Sequence, residues 1–329
     1  MTSPVARNNM TGVVIGDPAG VGPEVVVKAL CAGGLAPDTR HLLIGSASVI
    51  SRALETCGLD ASIKTVAHAG EVEDTVGVLH VLDPEGLPAE AFPLGADSAA
   101  AGDAVANWMD IAIGLAREGT IDALVMAPIS SGSFKLAGQR SRTVSPVVGE
   151  SYLLIFSGAL RVAHLTDHVP LASVSGLITA DQVKKALVQL DAAMRSWGME
   201  PRRIGVSGFN AHANGPEDRE QIAPGVERAR ALGVDASLPQ SPDAVFRHCI
   251  EGRYDMVLAM YHDQGHIAVK TWGFSGNCVL VLGPPYLFLS VAHGTAYDIV
   301  GTGKSDPAML HCALKTASLL ARGQGIGAE

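Results

Sequence analysis

Three histidines in polar, turn-prone segments could together hold a metal ion. His168 ends Thr-Asp-His, His212 ends Asn-Ala-His, and His262 lies in Tyr-His-Asp-Gln-Gly. Neutral imidazole binds zinc and other divalent ions well, and three protein ligands leave one position open for a substrate oxygen. The alternative is that each histidine only forms hydrogen bonds in its own loop, because separations of 44 and 50 residues are unlike compact metal motifs. His266, four residues after His262, is a candidate fourth ligand.

Two carboxylates and one lysine near these histidines could move protons or bind an anion. Asp263 follows His262, and Asp243 precedes an apolar stretch. Either carboxylate could orient a histidine or accept a proton. Asp243 could equally be a helix cap, since Ser-Pro-Asp resembles a helix start. Lys270 could bind an anionic group, or could extend its ammonium to solvent from a strand edge.

A glycine-rich segment, residues 16–24, lies between an apolar strand and a helix. It reads Gly-Asp-Pro-Ala-Gly-Val-Gly-Pro-Glu, which matches neither the dinucleotide-binding Gly-x-Gly-x-x-Gly register nor a phosphate-binding P-loop. Two interpretations remain open. The segment could direct backbone amides at an anion near a helix N-terminus, or it could be only a tight connection.

Residues 292–304 form a second and more specific glycine-rich segment. It is similar to the adenosine-binding loop of isocitrate and isopropylmalate dehydrogenases, in which a His-Gly-Ser/Thr-Ala turn surrounds the adenine side of the cofactor. The candidate cofactor residues are therefore His293, Gly294, Thr295, Ala296 and Asp298. The Asp298 carboxylate could accept hydrogen bonds from ribose hydroxyls and repel a 2′-phosphate, which favours NAD over NADP.

The elements that must position these residues alternate between strands and helices. Apolar runs predict buried strands over residues 12–15, 41–44, 122–126 and 255–260. Apolar residues at spacings of three and four predict helices over residues 24–32, 99–117, 180–197 and 224–232. This alternation indicates an α/β layered fold. We expect crossings near Pro128 and Gly301, which give a first lobe of residues 1–128 and 301–329 and a second lobe of residues 129–300.

Composition and charge favour a protein that acts on a small molecule. The chain has 329 residues, 47% of them hydrophobic, enough for one large core or for two lobes. Its net charge is -9 and its Lys and Arg residues are scattered, so neither nucleic acid nor a membrane is an expected partner. The five cysteines lack a Cys-x-x-Cys pair, which indicates reduced thiols. The short, interrupted apolar run after Met1 is unlike a signal peptide, and we expect a cytoplasmic location.

Several segments share their order and spacing with one known family: residues 16–24, 210–212, 259–265, 270, 273–274 and 293–304. Nearly end to end, they resemble the 4-hydroxythreonine-4-phosphate dehydrogenase family. The resemblance implies a two-lobed α/β/α layered fold like that of isocitrate and isopropylmalate dehydrogenases. It also implies a homodimer, with the active site in the interlobe cleft at the subunit interface and the dimer contacts and metal ligands on the second lobe. The implied divalent metal, zinc first and magnesium, manganese or cobalt as alternatives, is held by His168, His212 and His262, the last from the neighbouring subunit.

The chemistry that the resemblance implies is hydride transfer from a secondary alcohol of a small hydroxy acid to NAD, followed by loss of carbon dioxide from the β-keto acid. A metal suits both steps, because it lowers the pKa of a coordinated alcohol and then stabilises the enolate that decarboxylation leaves. A metal-dependent hydrolase, or a metal-binding protein without catalysis, would leave the segment at 292–304 unexplained.

The sequence departs from the family pattern where the family binds the substrate phosphate. The usual Gly-His-Thr becomes Gly-Glu-Ser, so the Glu150 carboxylate stands where a phosphate partner is expected and should repel phosphate. Val279 and Phe288 align with an Asn and an Arg of the family. Lys270 and Ser151 remain as phosphate ligands. The loop after Asn-Ala-His is also several residues shorter than the family pattern.

The first hypothesis is therefore a family member that acts on a non-phosphorylated substrate, such as a cis-dihydrodiol carboxylate. Trp272 with Val279 and Phe288 would make the pocket more apolar, and Arg140 or Arg142 could bind the carboxylate. The second hypothesis keeps a phosphorylated substrate, either 4-phosphohydroxythreonine or a four-carbon sugar acid phosphate, with the phosphate held by other groups.

Overall fold

The computed structural model describes residues 9–139, 150–273 and 276–326. The chain begins with β1 (Met10–Val14), α1 (Gly22–Cys31), β2 (Arg40–Ile44), α2 (Ala47–Cys57), β3 (Ser62–Thr65), β4 (Val78–Leu82), α3 (Ala99–Arg117), β5 (Ala123–Met126) and α4 (Ser131–Leu136). It continues with β6 (Tyr152–Ser157), β7 (Leu160–His164), α5 (Leu171–Leu177), α6 (Ala180–Ser196), β8 (Ile204–Val206), α7 (Ala223–Arg230), α8 (Val245–Ile250), β9 (Met256–Ala259), α9 (His262–Trp272) and β10 (Cys278–Leu282). The last elements are β11 (Leu287–Ser290) and α10 (Ala308–Ala321). Short 3-10 turns cover Ala69–Glu71, Ala89–Ala91 and Ala211–Ala213, and a π-helical turn covers Asp218–Ile222.

The predicted strands and helices are confirmed to within a few residues at β1, β2, β5 and β9 and at α1, α3, α6 and α7. Polar caps explain where two of the helices begin. Ser98 before α3 and Thr179 before α6 each accept a hydrogen bond from the backbone N–H three residues later. Pro23 lies in the first turn of α1, where a backbone N–H would have no partner within the helix and its absence costs nothing. None of the helices in the described ranges is long and apolar enough to cross a lipid bilayer.

Two compact units divide the described chain. The first contains residues 9–139 and 285–322, and the second contains 150–273, 276–284 and 323–326. The crossings that we expected near Pro128 and Gly301 therefore lie elsewhere. Helix α4 packs against α3, and β11 pairs with β5, so both elements belong to the first unit. The cofactor segment, as we call residues 292–304, belongs to the first unit as well, and not to the unit that contains the candidate metal ligands.

Six parallel strands form the sheet of the first unit, in the order β3, β4, β2, β1, β5, β11. Strand β1 is buried along its whole length, as expected of a parallel strand that is covered on both faces. The carboxyl ends of parallel strands share one edge of a sheet. The segments that follow β1 and β11 therefore begin at the same edge, which brings the glycine-rich loop at 16–22 close to the cofactor segment.

The sheet of the second unit has the order β10, β6, β7, β9, β8. Strand β6 is antiparallel to both β10 and β7, whereas β7, β9 and β8 run parallel to one another. Each of the three predicted metal ligands follows one of these parallel strands: His168 follows β7, His262 follows β9 and His212 follows β8. The strand order therefore brings the three ligand segments to one edge of this sheet.

Candidate metal centre and cofactor segment

Asp167, His168 and His262 form a cluster of candidate metal ligands in the second unit. One ligand atom from each residue lies within 4.8 Å of the others, and the ring centroids of His168 and His262 are 4.7 Å apart. The structure thus brings two of the three predicted histidines together and adds a carboxylate. One carboxylate with two imidazoles is a known ligand set of catalytic zinc sites. We call these three residues the ligand cluster.

Asp167 is a buried carboxylate that faces the His168 ring. It is 6% exposed, and neither of its carboxylate oxygens has an aligned hydrogen-bond donor among the described residues. Oδ2 lies 3.2 Å from His168 Nδ1, and the interaction with this carboxylate raises the pKa of His168. A buried charge without compensation is costly, so the cluster fits a cation. Asp167 was not predicted as a ligand from the sequence, although its position next to the candidate ligand His168 could have indicated it.

Asp263 holds one nitrogen of the His262 ring. Its Oδ1 lies 2.8 Å from His262 Nδ1, and because an ionised carboxylate only accepts, the Nδ1–H is the donor. The Nε2 lone pair then remains for a metal, as in most metal sites where the second nitrogen of a histidine ligand is hydrogen-bonded. Asp263 therefore lies where a carboxylate that orients His262 would be expected.

His212 lies outside the ligand cluster as it is found in the described residues. It is exposed on a single turn in which His212 and Ala213 have φ angles of 56° and 53°. Left-handed backbone is strained for residues other than glycine and persists only where the surroundings impose it. The buried carboxylate of Asp218 holds this turn. It accepts hydrogen bonds from the backbone N–H groups of Phe209, Asn210 and Gly215.

Asp243 lies close to His212. A hydrogen bond from Ser241 lowers the pKa of the exposed Asp243 carboxyl, and the nearby His212 imidazole adds to the lowering. Asp243 does not cap α8, whose N-cap position is occupied by Ala244 without a side-chain hydrogen bond. The helix-cap interpretation is therefore wrong, and an ionised carboxylate beside His212 remains.

Lys270 lies on α9 and not at a strand edge, so the strand-edge interpretation of this lysine is wrong. It follows His262 by two helical turns. Its ammonium contributes to the low pKa of His266, after burial and the two neighbouring histidines. Lys270 therefore places a positive charge next to the histidines of this unit, where an anionic part of a substrate could bind.

The candidate substrate residues lie in both units. Glu150, which is exposed, and Ser151 precede β6, and a Cβ added to Gly283 would lie 2.6 Å from the Cβ of Ser151. Val279 is buried within β10 of the second unit, and Phe288 is buried within β11 of the first. The other pocket residues that we predicted are Trp272, which is exposed, and Arg140 and Arg142, which lie outside the described residues.

Helix α1 holds the end of the cofactor segment. Glu24 is 3% exposed, and its carboxylate accepts hydrogen bonds from the Gly301 N–H at 2.6 Å and from the Ser305 hydroxyl at 3.2 Å. One turn later, the Lys28 ammonium donates to the carbonyls of Gly303 and Ser305, at 2.5 and 2.7 Å. Hydrogen bonds with an ionised partner are stronger than neutral ones. The end of the cofactor segment is therefore held by a negative and a positive side chain of α1, the first accepting hydrogen bonds and the second donating them.

The glycine-rich loop before α1 contacts the other end of the cofactor segment. The Val21 N–H donates to the Thr295 carbonyl at 2.9 Å, and a Cβ on Gly20 would lie 2.8 Å from Thr295. The N–H groups of Asp17, Ala19 and Gly20 also donate to protein oxygens. Because these donors are engaged within the protein, the structure favours the tight-connection interpretation of this loop over the anion-binding one.

A network of hydroxyls and carboxylates joins the glycine-rich loop to the cofactor segment. The Tyr297 hydroxyl lies 2.8 Å from Asp17 Oδ2 and 2.9 Å from Asp97 Oδ1, and the Ser133 hydroxyl donates to Asp17 at 3.2 Å. Burial raises the pKa of Asp17 and raises that of Tyr297 to about 12, whereas a hydrogen bond from Ser130 lowers the pKa of Asp97. Sequence reasoning missed this network, because nothing in the sequence connects Asp97 with the two glycine-rich segments.

Two features of the turn at 293–298 suit a bound ligand. His293 Nδ1 lies 2.9 Å from the Gly294 carbonyl and must donate to it, which leaves Nε2 of the neutral ring as an acceptor. That Nε2 is buried and has no partner among the described residues. Ala296 has a left-handed φ of 43°, a strained value for a residue with a Cβ. Asp298 is exposed in the same turn, so its carboxylate and His293 Nε2 could both accept hydrogen bonds from a ligand.

Two further histidines lie against the ligand cluster. His266, the candidate fourth ligand, stacks on His262 with ring centroids 3.8 Å apart and is not a member of the cluster. His164, which sequence reasoning missed, lies 4.7 Å from His266 between ring centroids. Burial lowers the pKa of His164 to about 4 and that of His266 to about 2. Both rings are therefore neutral at neutral pH.

Known proteins are similar to this chain in sequence and in fold. The family described as pyridoxal phosphate biosynthetic protein PdxA matches residues 38–317. The chain is 55% identical, over 96% of both chains, to a Novosphingobium aromaticivorans protein provisionally named a 4-hydroxythreonine-4-phosphate dehydrogenase. A Salmonella typhimurium structure with the same provisional name matches with a TM-score of 0.85 at 31% identity, covering 94% of this chain and 99% of that one. A terephthalate 1,2-cis-dihydrodiol dehydrogenase from Burkholderia xenovorans LB400 matches with a TM-score of 0.65 at 30% identity, covering 94% and 97%. The family resemblance seen in the sequence is confirmed, and with it the α/β fold class.

Proposed function

We propose, from the premise that the chain belongs to the PdxA family of dehydrogenases, that it oxidises a secondary alcohol of a small, non-phosphorylated hydroxy acid with NAD and a divalent metal, with loss of carbon dioxide. Family membership makes the protein an oxidoreductase, and dehydrogenases of this kind use a nicotinamide cofactor and a metal. The observation that carries the proposal is the ligand cluster, in which the buried Asp167 carboxylate has no aligned donor among the described residues.

The ligand cluster would hold the metal, with zinc as the first candidate and magnesium, manganese and cobalt as alternatives. When bound, the metal supplies positive charge to a substrate oxygen during both the oxidation and the loss of carbon dioxide. Asp263 orients His262 through its Nδ1–H. Asp243, which lies near His212, is a candidate proton acceptor, and Lys270 is a candidate partner for an anionic group of the substrate.

The turn at 293–298 supports NAD as the cofactor. The unpartnered Nε2 of His293 is an acceptor that suits the amino group of adenine. The exposed Asp298 carboxylate suits the hydroxyls of a ribose and would repel the 2′-phosphate of NADP. The strain at Ala296 is of the kind found where a ligand is held closely.

A non-phosphorylated substrate is supported by the charge near Ser151. The exposed Glu150 carboxylate would repel a phosphate, and neither Val279 nor Phe288 carries a side-chain hydrogen-bond donor. The second candidate, 4-phosphohydroxythreonine or a four-carbon sugar acid phosphate, is favoured by the provisional names of the Novosphingobium and Salmonella proteins. The dihydrodiol carboxylate class is favoured by the name of the Burkholderia xenovorans protein.

A substrate panel separates the two candidates. Metal-loaded protein is given matched pairs of phosphorylated and unphosphorylated hydroxy acids, including cis-dihydrodiol carboxylates, and NADH formation is followed by absorbance. We expect turnover of unphosphorylated acids only, with no competition by inorganic phosphate. Turnover of the phosphorylated acids instead would identify the second candidate. Loss of an acid in a reaction without NAD, followed by chromatography because no NADH forms, would indicate a hydrolase and contradict both candidates.

The role of Asp167 is tested by opposite effects on the metal-free and metal-loaded protein. Asp167→Asn removes a buried charge, so the metal-free variant should unfold at a higher temperature than the metal-free wild type. The same variant should lose most of the stabilisation that added zinc gives the wild type, because it lacks one ligand. Thermal unfolding with and without metal measures both effects, and the exposed Asp60→Asn serves as the control. A variant that keeps the full zinc-induced stabilisation of the wild type would contradict the metal role.

The remaining expectations concern assembly and location. We propose a homodimer with a shared active site, as the family resemblance implies, and a cytoplasmic location. Light scattering of the purified protein measures the mass of the assembly directly. A monomeric mass under conditions that support full activity would contradict the shared site.

A further inference from the structure

Two buried histidines, His164 and His266, lie beside the ligand cluster but are not members of it. His164 lies in β7 and is 1% exposed, and His266 lies in α9 and is 7% exposed. His164 Nδ1 lies 2.8 Å from the backbone carbonyl of Leu153 in β6. A carbonyl oxygen only accepts, so His164 Nδ1 carries the hydrogen and donates it.

The second nitrogen of His164 connects it to His266. His164 Nε2 lies 3.2 Å from His266 Nδ1. In a neutral ring that is protonated at Nδ1, Nε2 is an acceptor, so the His266 Nδ1–H must be the donor of this contact. The chain of hydrogen bonds therefore runs from His266 to His164 and ends on a peptide carbonyl. It cannot pass a proton onward, and it holds both rings in one tautomer and one orientation.

The stacked face of His266 transmits this orientation to His262. The two rings are nearly parallel, at 16° with centroids 3.8 Å apart. Gly265, between them in sequence, makes the arrangement possible. A Cβ at position 265 would lie 2.3 Å from His164 Nε2 and 2.7 Å from Val162 Cγ1, so any other residue would push the strand and the helix apart. The His262 ring has a second contact, because its Nδ1–H donates to the exposed Asp263 carboxylate.

We propose that His164 and His266 are positioning residues for the metal ligand His262. Together they fix the face of its ring, while Asp263 fixes its tautomer, so that Nε2 is aimed before the metal arrives. This inference rests on the metal centre of the proposed function. A ligand that is held in place loses less freedom on binding than a mobile one, so the expected benefit is tighter metal binding. Interactions that orient metal ligands are typically worth about tenfold to hundredfold in metal affinity.

Metal affinity and the spectrum of bound cobalt test the proposal. Purified wild type and variants are stripped with a chelator and titrated with Zn²⁺ against a chromophoric competitor, and Co²⁺ is added in a separate titration. His266→Ala and His164→Leu should each weaken zinc binding by about tenfold to hundredfold and shift the visible absorption of bound cobalt. The double variant should be no weaker than His266→Ala by more than about threefold, because both residues act through His262.

A second variant guards against misfolding. His266→Gln keeps an N–H that can reach His164 but removes the stacked ring. Metal-free His266→Gln should therefore unfold close to the wild type and still bind zinc more weakly. His68→Ala, at an exposed histidine in the first unit, is the matched control and should change neither affinity nor spectrum.

Two outcomes would overturn the inference in distinguishable ways. Wild-type affinity and an unchanged cobalt spectrum in His266→Ala, His266→Gln and His164→Leu would show that the pair does not position His262. A wild type that binds neither zinc nor cobalt in stoichiometric amount would instead remove the proposed metal centre, and the inference with it.

Discussion

Asp17 and Asp97 contact the same tyrosine hydroxyl, yet their pKa values are driven in opposite directions. Asp17 is 1% exposed, and burial raises its pKa despite hydrogen bonds from Ala19, Tyr297 and Ser133. Asp97 is exposed, so its hydrogen bonds, above all that from Ser130, lower its pKa. At the scale of residues, the balance between desolvation and hydrogen bonding therefore decides which carboxyl keeps its proton to higher pH.

The pH dependence of stability should carry the sign of the Asp17 shift. Since the folded protein binds this proton more tightly than the unfolded chain, Asp17 stabilises the fold below the ordinary Asp pKa of about 3.9, and the contribution is lost as pH rises through the folded pKa. Asp17→Asn stays neutral and keeps an acceptor for the Ala19 N–H. As the pH rises from acidic to neutral, the free energy of unfolding of this variant should increase relative to that of the wild type. Urea unfolding across that range measures it.

Asp97→Asn is the control for this prediction, with the opposite sign. Its lowered pKa means that the ionised form stabilises the fold above the ordinary pKa and that this contribution is lost as pH falls. Asp97→Asn should therefore lose stability relative to the wild type at neutral pH. A difference between Asp17→Asn and the wild type that does not change with pH would contradict the assigned shift.

At the scale of elements, α1 works as a support for the cofactor segment. Its first turn offers the Glu24 carboxylate to the Gly301 N–H, and its last turn offers the Lys28 ammonium to the carbonyls of Gly303 and Ser305. The loop before α1 adds the contact between Val21 and Thr295. The glycine-rich motif at 16–24 therefore contributes by holding another loop, and not by exposing its own amides.

Glu24→Gln should weaken cofactor binding without impairing the chemical step. The neutral amide can still accept from the Gly301 N–H and donate to the Ser305 hydroxyl, but both contacts lose the strength that the carboxylate charge gives them. We expect the KM for NAD to rise about tenfold, equivalent to about 1.4 kcal/mol, with kcat within about threefold of the wild type. Steady-state kinetics at saturating substrate measures both. The exposed Glu55→Gln on α2 is the control, and an unchanged KM for NAD in Glu24→Gln would contradict the supporting role.

At the scale of the whole molecule, the open question is which ligand crosses the subunit boundary. The family resemblance implied that His262 comes from the neighbouring subunit. Within one chain, His262 lies beside His168, and the exposed His212 is not part of the ligand cluster. The exposed, strained turn at His212 would suit a ligand for the site of another copy of the chain. We therefore predict that, in a shared dimeric site, His212 is the ligand that comes from the neighbouring subunit, as the alternative to His262.

Mixed variants test this assignment. Equal amounts of His168→Ala and His212→Ala, allowed to exchange subunits, should recover about one quarter of wild-type activity, because half of the dimers are mixed and each has one intact site. His168→Ala mixed with His262→Ala should recover none, since every site lacks a ligand from its own chain. Mass measurement of tagged mixtures verifies the exchange. Recovery with the second pair and not the first would assign His262 to the neighbouring subunit after all.

The sequence by itself determined the family, the dehydrogenase activity and the alternation of strands and helices. These follow from local patterns, such as apolar periodicity, caps at Ser98 and Thr179, and motifs whose residues are close in the chain. It also singled out His168, His212 and His262, because all three lie in polar, turn-prone segments. These features depend on residues that are close together in the chain, so they can be predicted before the fold is known.

The tertiary structure alone decided which of these residues meet. The order β7, β9, β8 brings Asp167 to His262 across 95 residues of sequence, and no spacing rule encodes that distance. The support of the cofactor segment by Glu24 likewise depends on β1 and β11 ending at one edge of their sheet. Burial, which leaves the Asp167 carboxylate without an aligned donor among the described residues, is a property of the packed chain. The meeting of the ligand segments and the burial of Asp167 both depend on packing between distant parts of the chain, so the sequence patterns could not predict them.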